Sequence, residues 1–281
     1  MIIDGNKIRD EIKEELKEKV KLLKNPNLTI VWVGNDPVSA KYVEKKKKFG
    51  EEVGIKVDLY KYGEGILTTE LIDEIRKILN KDPSGIIVQL PLPKHIDTEN
   101  VLSILPISKD VDLLSEAAYK SFTDGISLIL PPVTGAIKEI LDRNKIPGLM
   151  GLKAVIVGRG KLVGKPAAIW LESMGARVNL LGRDTLDLSQ FTKTADIIIT
   201  GAGVPDLIKP EMLPEKSATK LGGVIIIDAA TSDVSGKITG DVDPACAEKA
   251  LIFSPVPGGV GPITVAMLFK NLVTLALSKN I

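Results

Sequence analysis

The sequence predicts an α/β protein of two lobes, each built on a parallel sheet. Short apolar runs alternate with helical stretches along nearly all of its 281 residues, the pattern of strands joined by helical crossovers. The alternation comes as two series, separated by the proline pair at 131–132. The second series contains a glycine-rich turn, G-x-G-x-x-x-G, between a strand and a helix.

In the first series, residues 7–24 read as a charged amphipathic helix. LTIVWVG (28–34) is an apolar run that meets Gly34, a strand ending in a turn. Residues 38–53 have helical spacing, IKVDLYKY is the next strand, and TTELIDEIRKILN is a helix. GIIVQL (85–90) is a strand stopped by proline, ENVLSIL a short helix, and KDVDLL (109–114) at most a short extended piece. In the second series GAIKEILDRN is a helix and KAVIVG (153–158) a strand, followed by a helix over 163–174. ARVNLLG is a strand; a short helical stretch leads to strands in ADIIITGAG (195–203) and GGVIIIDAA (222–230). The last helix, from about Ile263 to Ser278, is apolar nearly all round and must be buried. With the second sheet already complete, it is expected to pack back on the first lobe.

Composition narrows the function. Lys+Arg 37 against Asp+Glu 36 leaves a net charge of +1, without the basic excess of a nucleic-acid binder. Aromatic residues at 4% are too few for base-stacking platforms. One cysteine, Cys246, and one histidine, His95, exclude a disulfide framework and a Cys/His zinc site, so no metal is expected. No apolar run of 18 residues is seen and the N-terminus lacks a signal-peptide pattern, so the expectation is a cytoplasmic protein with no membrane partner.

The run KKKK (45–48) resolves on a helical wheel. At about 100° per residue, Ser39, Tyr42, Val43, Lys46, Phe49, Gly50 and Val53 share one face. Lys45, Lys47 and Lys48 lie outside it, with Glu44–Lys48 and Lys48–Glu52 as i,i+4 pairs. Lys46 falls mid-stripe, where it either snorkels out or is held by partners in a cleft. A desolvated lysine has a lowered pKa and suits proton transfer near neutrality. Gln89 ends an apolar strand, where open α/β sheets place ligands, and Asp112 sits in the charged turn K-D-V-D. Against these stand plainer readings: a capped strand end for Gln89 and a Lys109 pair for Asp112.

VIVGRGKLVGKP (155–166) carries Gly158, Gly160 and Gly164 at a strand-to-helix turn. Such glycines let backbone approach a pyrophosphate, and the helix N-terminus offers it free N–H groups. The next strand ends NLLGRD (179–184), with Arg183 near the usual place of an NAD-binding acid and Asp184 beside it. Arg159 lies within the glycine loop. Two guanidiniums suit a 2′-phosphate, which points to NADP. The plainer reading pairs Arg183 with Asp184.

Five blocks now carry a family resemblance: SAKYVEKKKK (39–48), GIIVQLPLP (85–93), KDVD (109–112), VGRGKLVGKP (157–166) and PVPGGVGPIT (255–264). In kind, order and spacing the chain resembles the bifunctional methylenetetrahydrofolate dehydrogenase/methenyltetrahydrofolate cyclohydrolase family. The resemblance implies a folate-binding catalytic lobe, residues 1–119 with 262–281, and a Rossmann NADP-binding lobe, residues 120–261. It implies an active site in the cleft between them, tetrahydrofolate derivatives as substrates, and a homodimer. The family's catalytic lysine falls on Lys46, the tyrosine near the pterin on Tyr42, the glutamine that orients the lysine on Gln89, and the pterin-binding aspartate on Asp112. Leu90, Pro257, Gly258 and Gly259 fall among its substrate-binding positions. Its cofactor positions fall on Gly158, Arg159, Gly160, Lys161, Val163, Gly164, Arg183, Gly203 and Thr231.

There are departures. Leu113 stands where the family has glycine after K-D-V-D, and the family's P-C-T-P-x-G block is reduced to PPVTGA (131–136). The cofactor loop reads Gly158-Arg159-Gly160, and Gly182-Arg183-Asp184-Thr185 replaces H-S-R-T. A monofunctional dehydrogenase and a non-catalytic NADP-binding protein are the alternative readings.

Overall fold

The computed structural model describes residues 1–146, 148–234 and 237–279. The chain divides into two units, Asp10–Pro132 with Val265–Ile281 and Met1–Arg9 with Val133–Thr264. The division falls at 132/133 rather than 119/120, and the first nine residues go with the second unit. The reason is local pairing: the Ile3 N–H donates to Phe253 O at 2.8 Å and the Phe253 N–H to Met1 O at 2.9 Å. Helix α1 (Gly5–Val20) therefore begins in one unit and ends in the other.

The first unit is built on three parallel strands in the order β2-β1-β3: β1 Asn27–Val33, β2 Lys56–Tyr62 and β3 Gly85–Val88. β1 is buried from Leu28 to Val33, the continuous apolar run of a strand covered on both faces. Helix α2 (Pro37–Val53) follows it. The Asp36 carboxylate accepts from the Ser39 N–H, Pro37 starts the first turn, and Gly54 ends the helix at φ 80°. Helix α3 (Thr68–Leu79) buries Leu71, Ile72, Ile75 and Ile78, one stripe at helical spacing. Short α4 (Thr98–Ser103) and α5 (Glu116–Thr123) complete the middle of the unit. Helix α5 is unforeseen in the sequence; Ser115 caps it, accepting from the Ala118 N–H.

The last helix, α9 (Val260–Ser278), ends in the first unit, as its apolar circumference predicts. By length and composition it is long and apolar enough to cross a membrane, contrary to the expectation that no such run exists, yet most of it is buried in the protein. Phe269 packs on Phe49 of α2 with ring centroids 5.1 Å apart. A Cβ at Gly85 would lie 2.6 Å from Val111 and 3.0 Å from Leu272, so glycine at this strand start admits α9. Asn271, buried in the helix, donates to Val111 O at 2.9 Å and Leu130 O at 2.8 Å.

The second unit holds a five-stranded parallel sheet in the order β10-β7-β6-β4-β5. Its strands are β4 Lys153–Val157, β5 Arg177–Leu181, β6 Ile197–Thr200, β7 Val224–Asp228 and β10 Ala250–Ser254. Helix α6 (Pro132–Arg143) leads into β4, α7 (Gly164–Ser173) joins β4 to β5 and α8 (Ser189–Thr192) joins β5 to β6, and β8 (Ser232–Val234) pairs antiparallel with β9 (Lys237–Thr239). β10 is not foreseen: ALIFS is too short to show a period between its flanking turns. β4 pairs with β5 on one side and β6 on the other, so the chain reverses direction across the sheet at the C-terminal end of β4. Open α/β sheets bind ligands at that switch point.

Asn271→Leu keeps the volume but leaves one buried and one part-buried carbonyl without this donor, at a cost of about 2–4 kcal/mol. Urea unfolding is expected to show that loss; an unchanged midpoint would mean the carbonyls are satisfied elsewhere.

Candidate active site

Helix α2 buries Ser39, Val43, Lys46, Phe49, Gly50 and Val53, the face that its periodicity marks. Tyr42, on the same face, is half-buried. Lys46 is only 6% exposed, so it does not snorkel. Its Nζ donates to Gln89 Oε1 at 2.8 Å. Gln89 follows β3 directly. Its backbone N–H donates to Val31 O and its Nε2 to Leu90 O, both at 2.8 Å. With Nε2 committed to a carbonyl, the amide oxygen is the atom that faces the lysine. Burial lowers the Lys46 pKa, and the negative charge of Asp112 opposes part of that fall.

The other lysines of the run go elsewhere. Lys45 Nζ sits 5.4 Å from the centre of the Tyr42 ring, Lys47 is half-buried and Lys48 is exposed. The expected Lys48–Glu52 pair is replaced, because Lys13 of α1 reaches Glu52 at 2.9 Å. Among the described residues Glu44 and Lys48 make no ion pair either.

The K-D-V-D turn is organised differently from its plainer reading. Lys109 pairs with Asp82, leaving Asp112 without that partner. Asp110 is buried; one carboxylate oxygen accepts from the Ser115 N–H at 2.7 Å and the other has no protein partner. Burial pushes the Asp112 carboxyl up to about 6; the charge of Lys46 resists the rise and that of Asp110 adds to it. Leu113 has φ 52°, so the left-handed conformation that favours glycine persists under a buried leucine side chain. Burying the leucine offsets that backbone strain.

In the second unit, the loop after β4 occupies the switch point. Gly158 has φ 114°, and a Cβ there would lie 2.5 Å from Gly201 O. A Cβ at Gly164 would lie 1.7 Å from Gly158 O, whereas one at Gly160 would meet nothing within 4 Å. Two of the three glycines thus fold the turn, and the third faces open space. Helix α7 begins behind Val163 with no side-chain cap; the Lys165 N–H donates to Gly160 O at 3.1 Å and Pro166 has no N–H, so the Gly164 N–H is the donor of this first turn that stands open toward a ligand. These features fit a dinucleotide pyrophosphate.

Arg159 extends from the loop across β5. Its Nη1 donates to Asp184 Oδ1 at 2.7 Å and Oδ2 at 2.9 Å, and its Nε to Leu180 O at 3.4 Å. The plainer reading named the wrong arginine: Asp184 pairs with Arg159, and Arg183 is exposed with no ion pair among the described residues. Gly203 has φ 71°, and Thr231 is exposed beyond β7. In the loop at the start of α9, Gly258 O accepts from the Gly5 N–H at 2.8 Å, Gly259 is buried and Pro257 is exposed.

The family model described as tetrahydrofolate dehydrogenase/cyclohydrolase, catalytic domain, matches residues 3–112. The one described as its NAD(P)-binding domain matches residues 131–280. The chain belongs to the tetrahydrofolate dehydrogenase/cyclohydrolase family. A bifunctional protein FolD from Nitratiruptor sp. is 39% identical over 99% of both chains. The crystal structure of the bifunctional FolD dehydrogenase/cyclohydrolase from Campylobacter jejuni superposes with TM-score 0.93 at 38% identity, covering 99% of each chain. The Trypanosoma brucei dehydrogenase-cyclohydrolase, solved with NADP and an inhibitor, gives TM-score 0.92 at 29% identity, covering 100% of this chain and 98% of that one.

Within this family member, three buried aspartates escape a sequence reading. Asp241 accepts from the N–H groups of Ala202 and Val204 at 2.7 Å and of Gly203 at 3.3 Å, shaping the turn after β6. Asp228, at the end of β7, accepts from Thr200 Oγ1 at 2.9 Å and the Val242 N–H at 3.0 Å. Asp196 accepts from the Lys153 and Lys220 N–H groups at 2.9 and 2.6 Å. For Asp228 the available signal was an acid at the end of an apolar run, VIIID, and for Asp196 an acid at the start of one, ADIII; Asp241 carries no such signal, and the partners of all three lie too far along the chain to be read. Cys246 is buried, and its thiol is pushed up to about 12, so it is inert.

The raised Asp112 pKa has a stability consequence. The folded state holds a proton that the unfolded chain, with the ordinary value of 3.8, gives up. The stabilisation is therefore complete at pH below that value and is lost as pH rises through about 6. Asp112→Asn is expected to flatten this decline in urea midpoints measured between about pH 4 and about pH 6.5. Parallel declines in both proteins would refute the assignment.

Proposed function

We infer that this chain oxidises 5,10-methylenetetrahydrofolate to 5,10-methenyltetrahydrofolate with NADP+ and hydrolyses the product to 10-formyltetrahydrofolate. Family membership across both matched domains and near full-length likeness to bifunctional relatives support the pair of activities. The observation that carries the hydrolytic step is the buried Lys46 Nζ held by Gln89 Oε1 at 2.8 Å.

Bound NADP+ supplies the hydride acceptor for the first step. No proton needs removal from the reacting carbon, so the protein's task there is alignment. Gly158, Gly160, Lys161, Val163 and Gly164 hold the pyrophosphate at the start of α7, Arg159 and Arg183 serve the 2′-phosphate, and Gly203 and Thr231 line the remainder. Tyr42 lies along the pterin, with Leu90, Pro257, Gly258 and Gly259 as further folate contacts. Asp112, whose carboxyl titrates at about 6, is mostly ionised at neutral pH and accepts the pterin N–H donors.

In the second step water adds to the methenyl carbon and loses a proton as the C–O bond forms. Lys46, with its pKa lowered by burial, has a neutral fraction that takes this proton. The bond from the carbon to N5 then breaks, and Lys46 returns the proton to N5; the second proton of the water leaves to solvent as the formyl carbonyl forms. Gln89 keeps the amine aimed through the cycle. On the same reading the enzyme is a homodimer of the cytoplasm.

Lys46→Met is expected to abolish methenyltetrahydrofolate hydrolysis, at least about a hundredfold, while NADP+ still binds. Hydrolysis is followed by loss of methenyl absorbance and binding by calorimetry. Hydrolysis at the wild-type rate would remove Lys46 from the mechanism.

A further inference from the structure

The pair Arg159–Asp184 stands where a dinucleotide fold discriminates its cofactor. β4 and β5 run parallel with Val157 opposite Leu181, so the loop after one strand adjoins the turn after the other. That turn is tight: the Thr185 N–H donates to Gly182 O at 3.0 Å, and the Gly182 N–H to Thr185 Oγ1 at 3.3 Å. It presents Asp184 to the guanidinium, which binds both carboxylate oxygens. In Rossmann folds this strand end receives the adenosine ribose. An acid there binds the 2′-hydroxyl of NAD, and an arginine nearby accommodates the 2′-phosphate of NADP. Here both groups are present and satisfy each other.

We propose that Asp184 is a specificity-determining residue that keeps NAD usable beside NADP, accepting the ribose 2′-hydroxyl and competing with the 2′-phosphate for Arg159. This rests on the cofactor-loop reading above. The pair is open to solvent, with side-chain exposures of 47% and 67%, so a phosphate can take the guanidinium at little cost. The carboxylate then remains beside the phosphate as a like charge, which blunts the preference for NADP. With NAD no phosphate competes, Arg159 stays paired, and Asp184 offers its outer lone pairs to the hydroxyl.

The test compares wild-type enzyme and Asp184→Asn, an isosteric change at an exposed site, at one ionic strength. Methylenetetrahydrofolate-dependent kcat/KM is measured with NADP+ and NAD+, and affinities for adenosine 2′,5′-bisphosphate and 5′-AMP by calorimetry. The variant is expected to gain with the phosphorylated member of each pair and lose with the other, moving the ratio about tenfold, as one exposed charge pair lost and one like-charge contact removed would give. An unchanged ratio, or equal loss with both cofactors, overturns the proposal, since Asp184 would then only shape the turn. Arg159→Ala separates the underlying reading. If it binds adenosine 2′,5′-bisphosphate as tightly as the wild type does, the cofactor-loop assignment falls, and the proposal with it.

Discussion

Taking one ammonium group out of water is the constraint around which the first unit is arranged. An isolated buried cation is costly by several kcal/mol, and it persists only where partners hold it or where it sheds its proton. Lys46 has one hydrogen-bond acceptor, Gln89 Oε1, and one opposing charge, Asp112. Neither is enough to restore an ordinary lysine pKa, which burial holds below its usual value. The surroundings serve to keep it there. Asp36 and Gly54 set the ends of α2, Phe49 anchors its inner face on Phe269, and the backbone and Nε2 bonds of Gln89 prevent its amide from turning away.

The second unit meets the opposite demand. Buried carboxylates there satisfy backbone N–H groups that strand ends leave unpaired. Asp241 takes three from one turn, Asp196 two from separate segments, and Asp228 joins β7 to β6 through Thr200 and to the stretch after β9 through Val242. Asp228 and Asp241 hold the sheet's C-terminal rim, whereas Asp196 ties the N-terminal end of β4.

Much of this was legible in the sequence because period and punctuation are local. The stripe through residues 39–53 places Lys46 inward without knowledge of any partner. The strand–glycine–helix order of residues 153–174 marks the phosphate turn, and the apolar circumference of the last helix requires burial. What was not legible was short or long-range. β10 and α5 carry too few residues to display a period. Leu113 keeps a left-handed backbone that its residue type argues against.

The sequence by itself determined the alternation of strands and helices, the inward lysine and the glycine turn, since each follows from spacing within about fifteen residues. The tertiary structure alone decided which side chains meet. Lys46 reaches Gln89 across 43 residues and Arg159 reaches Asp184 across 25. Glu52 turns to Lys13, Lys109 to Asp82, and Asp184 to the arginine that a neighbour-by-neighbour reading passes over. A charge has several possible partners along a chain, and only the register of the strands and the packing of the helices selects among them.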